Sequence, residues 1–382
     1  MEQDTGIVTG SPIYEQLAKR IRRSIHQGDY QAGQLLGSEY ELARQENISR
    51  MTVRRASELL IKEGLVERRP GKGLYVRGNG NATRLVQVVA GNLAWEPWLQ
   101  VSRGAQLVAK QKGIQIQLYD AQGDEELDIN ILKNLIDGPA KGAIIISLHN
   151  ATFTEAIYQL KLSGFPFVLV DQRLRDIDVP SVTADNYRGG YEVGQELVQL
   201  GHQRIAFVGD LVATTVQDRL AGLRDAMADA GLPFDRSLVV NLQAEVDRLG
   251  DWSGRIDVST RELMNRAAPP TAIFFSCDGV AGPACRTLQA MGIRIPQDVS
   301  VVGFDDAPVA QWLTPMLTTV HQPFPEMGLA AIELLCLRME NPHAPVEHRV
   351  LPVQLIRRGS TAAPRSEATV VDSGSVVHNA QP

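Results

Sequence analysis

The sequence predicts an α/β protein with parallel sheets in two successive lobes, preceded by a small basic module of helices and a hairpin. Three observations predict it. First, buried-strand runs alternate with helical stretches from Leu85 to Asp171, the pattern of a parallel sheet covered on both faces. Second, the alternation restarts at YRGGYEVGQELVQLGHQRIAFVGD and continues through PTAIFFSCDG and VSVVGFDD, which gives a second lobe. Third, the segment before Gly78 differs from the rest in both periodicity and charge.

Composition bounds the class. The chain has 382 residues, 44% hydrophobic and 21% charged, ordinary values for a globular protein of two or three domains. The start MEQDTGIVTGSP lacks a basic patch followed by an apolar core, so no signal peptide is expected, and no apolar run is long enough to span a bilayer. Cys277, Cys285 and Cys336 form no metal-ligand spacing, and so sparse a set fits a reducing, cytoplasmic compartment. The net charge of -6 is unevenly spread: Ile13 to Gly78 carries 13 basic and 8 acidic residues, and the remainder carries 25 basic and 36 acidic. A basic module on an acidic body points the module alone at a polyanion.

The module is read in order. Ile13, Leu17, Ile21 and Ile25 make one apolar helical stripe, with Gly28 as its stop. Ser38, with Glu41 three residues on, forms a capping box for a short helix. Asn47 turns the chain and Ser49 caps RMTVRRASELLIKEG, in which Val53, Ala56 and Leu60 face a core while Arg50 and Arg54 lie on the other side. Two helices around a tight turn, the second basic at its start, make a helix-turn-helix. LVER and LYVR are short strands joined by the turn RPGKG, which puts Arg69 and Lys72 at its tip. Arg22, Arg23 and Arg55 are read as solvated surface.

Residues 11–77 resemble the GntR-type winged helix along their whole length, through YEQLAKRIRRSI, GQLLGSEYELA, ISRMTVRRAS and EGLVERRPGKGLYV in that order. The resemblance implies that Arg50, Thr52 and Arg54 contact double-stranded operator DNA, with Lys72 and Gly73 as wing contacts. This chain has Gly37 where the family has Pro, and Tyr40 where it has Arg.

RGNGNATR reads as a linker, residues 78–84. The body, 85–360, places strands at 85–91, 114–120, 142–147 and 165–171, with helices near 98–112, 125–137 and 152–163 between them. Ligands in such sheets bind at the carboxyl ends of strands. The residues there are Asn92, Trp95 and Trp98, then Ser147, then Asp171, Gln172 and Arg173, and in the second lobe Arg219, Trp252, Asp278 and Asp305. Carboxylates accept from hydroxyls, Arg donates in a planar fork, and Trp covers a ring face, which is the inventory of a polyol pocket. Trp252 suits either this pocket or the core, Asp278 is read as a helix cap and His202 as a structural turn residue. No nucleophile with a paired base, metal cluster or phosphate loop is present in the motifs, so an enzyme is not expected, nor is a cofactor.

Residues 84–360 resemble the effector-binding body of LacI/GalR-type repressors, which is similar to periplasmic sugar-binding proteins. The resemblance rests on VPSVTADNYRGGYEVGQELVQLGHQRIAFVG, DRLAGLRDAM, PTAIFFSCDGVAGPACRTLQAMGIRIPQDVSVVGFDD and LTTVHQPFPEMG. It implies that Arg219 meets sugar hydroxyls and that Asp171, Trp252, Asp305, Gln322 and Phe324 are further pocket positions. Cys277 stands where the family has Asn, so a ligand-facing amide is replaced by a thiol. The layout is similar to that of arabinose-repressor-like regulators. The expected whole is a winged helix-turn-helix head on a two-lobed, periplasmic-binding-protein-like body. It acts as a homodimer without membrane contact, and its operator binding is set by a sugar or related polar metabolite held between the lobes. The alternatives are a solute-binding protein with no DNA function and a transcription activator. The tail, 361–382, is small and polar and is expected to be disordered.

Overall fold

The computed structural model describes residues 12–27, 29–77, 84–146, 151–242, 253–342 and 344–365. In the N-terminal module, α1 (Ile13–Gln27), β1 (Leu35–Gly37), α2 (Glu39–Gln45) and α3 (Arg50–Lys62) lead into the hairpin β2 (Val66–Arg69) and β3 (Gly73–Val76). Leu17, Ala18, Leu42, Val53, Ala56, Leu60, Val66, Leu74 and Val76 close one core beneath them. The capping box forms: Ser38 Oγ accepts from the Glu41 amide at 3.2 Å and Glu41 Oε2 from the Ser38 amide at 2.7 Å. Ser49 Oγ caps α3 by accepting from the Thr52 amide at 3.1 Å. Gly28, the expected stop of α1, lies outside the described residues.

The chain divides into two units, and it passes between them at Thr183–Ala184, Gln322–Pro323 and Leu351–Pro352. The first unit holds, after the N-terminal module, β4 (Arg84–Ala90), α4 (Glu96–Gln111), β5 (Ile114–Asp120), α5 (Glu125–Leu135), β6 (Gly142–Ile146), α6 (Ala151–Leu162), β7 (Phe167–Val170) and β8 (Ser181–Ala184). The second unit holds α7 (Asn186–Gln199), β9 (Ile205–Gly209), α8 (Thr214–Asp229), β10 (Val239–Asn241), α9 (Ser253–Met264), β11 (Ala272–Phe275), α10 (Asp278–Ala290), β12 (Ser300–Val302), α11 (Val309–Trp312) and β13 (Thr319–His321). Then α12 (Phe324–Glu340) and β14 (His348–Leu351) return to the first unit, and β15 (Gln354–Ile356) pairs with β13 in the second.

Each unit is built on a parallel sheet. In the first the order is β14-β8-β7-β6-β4-β5, and in the second β10-β9-β11-β12. The four central strands of the first, β4, β6, β7 and β8, are almost wholly buried, as strands covered on both faces must be. One helix pair in each unit is pressed together through glycines. A Cβ at Gly104 of α4 would run into the Pro325 carbonyl of α12, and one at Gly328 into the Val101 carbonyl. Likewise a Cβ at Gly190 of α7 would run into the Arg219 carbonyl, and one at Gly222 of α8 into the Tyr187 carbonyl. Only hydrogen on the α-carbon permits that approach.

The structure moves some expected limits. The fourth strand begins at Phe167, not at 165, because Pro166 has no amide to give the ladder. Arg84, read as linker, opens β4 and pairs with Ile114. Residues 361–365, read as part of the disordered tail, are held on the second unit: Ser300 Oγ accepts from the Ala362 amide at 3.0 Å, and Arg365 meets Asp298 at 3.0 Å. Among the described residues no helix is long and apolar enough to cross a membrane.

Candidate DNA-binding and effector sites

The start of α3 is the chemically distinctive part of the N-terminal module. Arg50, Met51, Arg54 and Arg55 are exposed there, opposite the buried Val53, Ala56, Ser57 and Leu60. Arg54 Nε reaches Glu58 Oε1 at 3.2 Å, a solvated pair one turn apart that is weak enough to give way to a phosphate or base. Thr52 is half-buried and its hydroxyl lies 2.8 Å from Ser49 Oγ, inside the helix cap. Two other arginines of the module are engaged in joining its elements. Arg22 binds Glu63 through two nitrogens at 3.0 and 2.6 Å, which straps α1 to the end of α3, so it is more than the solvated surface residue expected. Arg68 binds Glu39 at 2.5 Å and joins the wing to α2.

The wing tip is a tight turn. The Lys72 amide donates to the Arg69 carbonyl at 2.9 Å, and Gly71 adopts φ 72°, the Pro-Gly signature of a type II turn. Lys72 is exposed at that tip. Gly73 has φ 106°, and a Cβ there would lie 2.9 Å from the Gly37 carbonyl oxygen. Its lack of a side chain lets β3 lie against β1, a role in shaping the wing that is separate from any DNA contact.

In the second unit, the ends of β11 and β12 and the helices α7 and α8 gather a buried polar group. Arg219 is 3% exposed. Its Nε donates to Asn186 Oδ1 at 2.7 Å, its Nη1 donates to the Ser276 carbonyl, and its guanidinium carbon lies 3.8 Å from the centre of the Phe304 ring. Asp305 stands 3.8 Å from Nη1 and is held at φ 112°, a strained setting for a residue other than glycine. Gln322, also buried, donates from Nε2 to Asp305 Oδ1 at 2.7 Å, while its Oε1 has no hydrogen-bond partner among the described residues. Arg219, Asp305 and Gln322, named from the sequence at separate motifs, are therefore one cluster. Asn186, Ser276 and Phe304 were missed. The only signal for Asn186 was its place just after a strand, in the dipeptide Asp185-Asn186.

Cys277 caps α10 without a side-chain bond, beside Asp305 and Arg219. Burial pushes its thiol up to about 12, so it stays protonated. Asp278 is not the helix cap, since Cys277 takes that position. Asp278 instead accepts from Thr319 Oγ1 at 2.6 Å and from the Ala307 amide at 2.8 Å, pinning the loop after β12. Burial raises its carboxyl to about 7. His202 is buried, within 2.9 Å of Thr271 Oγ1 and 3.0 Å of Ser300 Oγ, the structural turn residue expected.

In the first unit, Asn92 and Trp98 follow β4 and Asp171 and Arg173 follow β7, all at the carboxyl edge of the sheet. Asn92 Oδ1 accepts from the Ala94 amide at 2.9 Å and shapes the loop into α4, where Trp95 and Trp98 are half-buried. Asp171 is half-buried at φ 57°, and Arg173 is exposed. Gln172 is 1% exposed, with neither amide atom hydrogen-bonded among the described residues. Phe324 opens α12 and is buried. Ser147 and Trp252 lie outside the described residues.

A winged helix-turn-helix joined to two parallel α/β units, with buried polar groups at strand ends, defines a ligand-sensing DNA-binding protein. Comparison with known proteins agrees part by part. Residues 13–76 match the gntR family of bacterial regulatory proteins, and residues 195–361 match the periplasmic binding protein-like domain. The chain is 29% identical over 340 residues to the arabinose metabolism transcriptional repressor of Geobacillus stearothermophilus, covering 86% of this chain and 92% of that one. It is 30% identical over 264 residues to the ribose operon repressor of Escherichia coli, covering 68% of this chain and 77% of that one. A LacI family transcriptional regulator from Enterococcus faecium, solved with bound ribose, superposes with a TM-score of 0.62 at 29% identity, covering 74% of this chain and all of that one. The chain belongs to the LacI-type family of transcription regulators, with a GntR-type winged helix as its head. It is an effector-responsive DNA-binding regulator.

Proposed function

We propose that this regulator is a repressor that works as a homodimer in the cytoplasm, and that an uncharged, hydroxyl-rich sugar controls its grip on a two-fold operator. The observation that carries the sugar assignment is the Arg219–Asp305–Gln322 cluster. The guanidinium and carboxylate lie 3.8 Å apart and compensate each other, so the group as a whole offers no net charge to an anion. It does offer directional bonds. Gln322 Oε1 is a buried acceptor with no hydrogen-bond partner among the described residues, and the Arg219 guanidinium in the same cluster is a donor. A sugar hydroxyl, which donates and accepts at one atom, satisfies both. Leaving Gln322 Oε1 unmet inside the protein costs about 1–3 kcal/mol, which ligand binding recovers.

Asn92, Trp98, Asp171 and Arg173 at the strand ends of the first unit, together with Ser147, Trp252 and Phe324, supply further ligand contacts in this reading. Arg50, Thr52, Arg54, Lys72 and Gly73 form the DNA surface. The names of the arabinose and ribose repressors support a sugar effector of pentose size. The test is a thermal-shift series with arabinose, ribose, cellobiose and their phosphates, followed by operator gel-shift with each ligand that stabilises. A ligand that binds only the native state raises its melting temperature. A neutral sugar that shifts melting and changes operator binding supports the reading. Stabilisation by the phosphorylated sugars alone contradicts it.

A further inference from the structure

The residue at the centre of the DNA-facing side of α3 is not one of its arginines. Met51 is 60% exposed. The buried positions Val53, Ala56, Ser57 and Leu60 fix the inward side of this helix, and at 3.6 residues per turn Met51 falls almost diametrically opposite them. Its neighbours on that side are Arg54, paired with Glu58, and Arg55, whose guanidinium lies 6.0 Å from the centre of the Tyr14 ring. Thr52 turns its hydroxyl back to Ser49. An apolar side chain is thus left largely in water in the middle of a basic face.

A major groove offers such a side chain one apolar feature, the C5 methyl of thymine. The thioether of methionine is unbranched and adapts to a small apolar partner. Resting on the DNA-binding reading above, we infer that Met51 reads a thymine methyl in each half of the operator and so adds sequence discrimination that the arginines do not supply. The basic residues around it bring the polyanion to this face, and the methyl is what the methionine covers.

The experiment uses the full-length protein. Operators are recovered from a random duplex pool, and each thymine is then replaced by deoxyuridine, which removes the methyl and leaves the pairing edge unchanged. Covering one methyl group is worth about 0.8 kcal/mol, so a single replacement in one half-site should weaken binding roughly fourfold, and one in each half-site roughly 15-fold. In Met51→Ala that loss should disappear, and in Met51→Leu it should persist. Wild-type protein indifferent to every replacement overturns the inference, as does a penalty of equal size in Met51→Ala. In either case Arg54→Ala still separates the two claims: if it loses operator affinity, the DNA-binding face stands and only the methyl contact falls. If the protein recovers no common sequence from the pool, both fall.

Discussion

Arg54 and Asp278 show how differently a charged residue behaves at the surface and in the core. Among the described residues the half-exposed Arg54 side chain is tied to Glu58, a pair worth about 0.3–0.5 kcal/mol. Arg54→Ala should therefore leave melting nearly unchanged. It should weaken operator binding by about 1–3 kcal/mol, the worth of a good bidentate contact to guanine. Operator affinity equal to wild type at moderate salt would remove Arg54 from the interface. Asp278 is fully buried, and its carboxyl, raised to about 7, favours the protonated form in the folded state. Between roughly pH 4 and pH 7 the native protein holds a proton that the unfolded chain releases, so this group's contribution to stability falls as pH rises through that window. Asp278→Asn removes the titration at the cost of one accepted hydrogen bond, a cost that does not vary with pH. Melting temperature should fall less between pH 5 and pH 8 in Asp278→Asn than in wild type. Equal falls would mean that Asp278 is already ionised at pH 5.

At the scale of elements, the wing and the glycine-packed helices make separate demands. Lys72, exposed on its turn, should release counterions from DNA, so Lys72→Ala should lower the salt slope of binding by about one unit per protomer. An unchanged slope would place the wing away from the backbone. Gly190 sits inside α7, where alanine would ordinarily add about 1 kcal/mol of helix stability. Here the added methyl runs into the Arg219 carbonyl, so Gly190→Ala should instead lower the melting temperature by several degrees, through overpacking worth about 1–3 kcal/mol. It should also weaken effector binding, because α8 carries Arg219. A variant more stable than wild type would show that the helices have room to part. The winged helix was legible in the sequence because its signals are local: a capping box, a second cap, and a Pro-Gly turn between two short strands. The strand end carrying Asp305 was legible through alternation of strand and helix, whereas Arg219, expected at a strand end, lies inside α8 and was legible only through its motif. The return of α12 to the first unit was not, because nothing near Pro323 marks a change of unit; its cause is the long-range fit of Gly328 against Val101. Asn186 escaped for the same reason, since its partner is 33 residues away. Asp278 was misread because a carboxylate after a strand has the same local appearance whether it caps its own helix or pins a distant loop.

Across the whole molecule, labour is divided between a head that binds DNA and a body that senses a ligand. The two parts have separate cores, so a change in one need not unfold the other. An effector can shift operator binding only by its differential affinity for two states of the protein, and removing its contacts should uncouple the two halves without silencing the head. Arg219→Ala takes away the charged donor of the cluster, a loss of about 1.5–3 kcal/mol, so effector affinity should fall roughly 10- to 150-fold. Because Arg219 also supports Asn186, Gln322→Leu serves as a second variant that leaves that bond intact. The direct measurement is calorimetric titration of both variants with whichever sugar stabilises the wild type most, with operator binding followed in parallel. The expected result is weak or absent effector binding, full operator affinity without effector, and no response of that affinity to the sugar. Wild-type effector affinity in both variants, or loss of operator binding in a variant that melts normally, would contradict it.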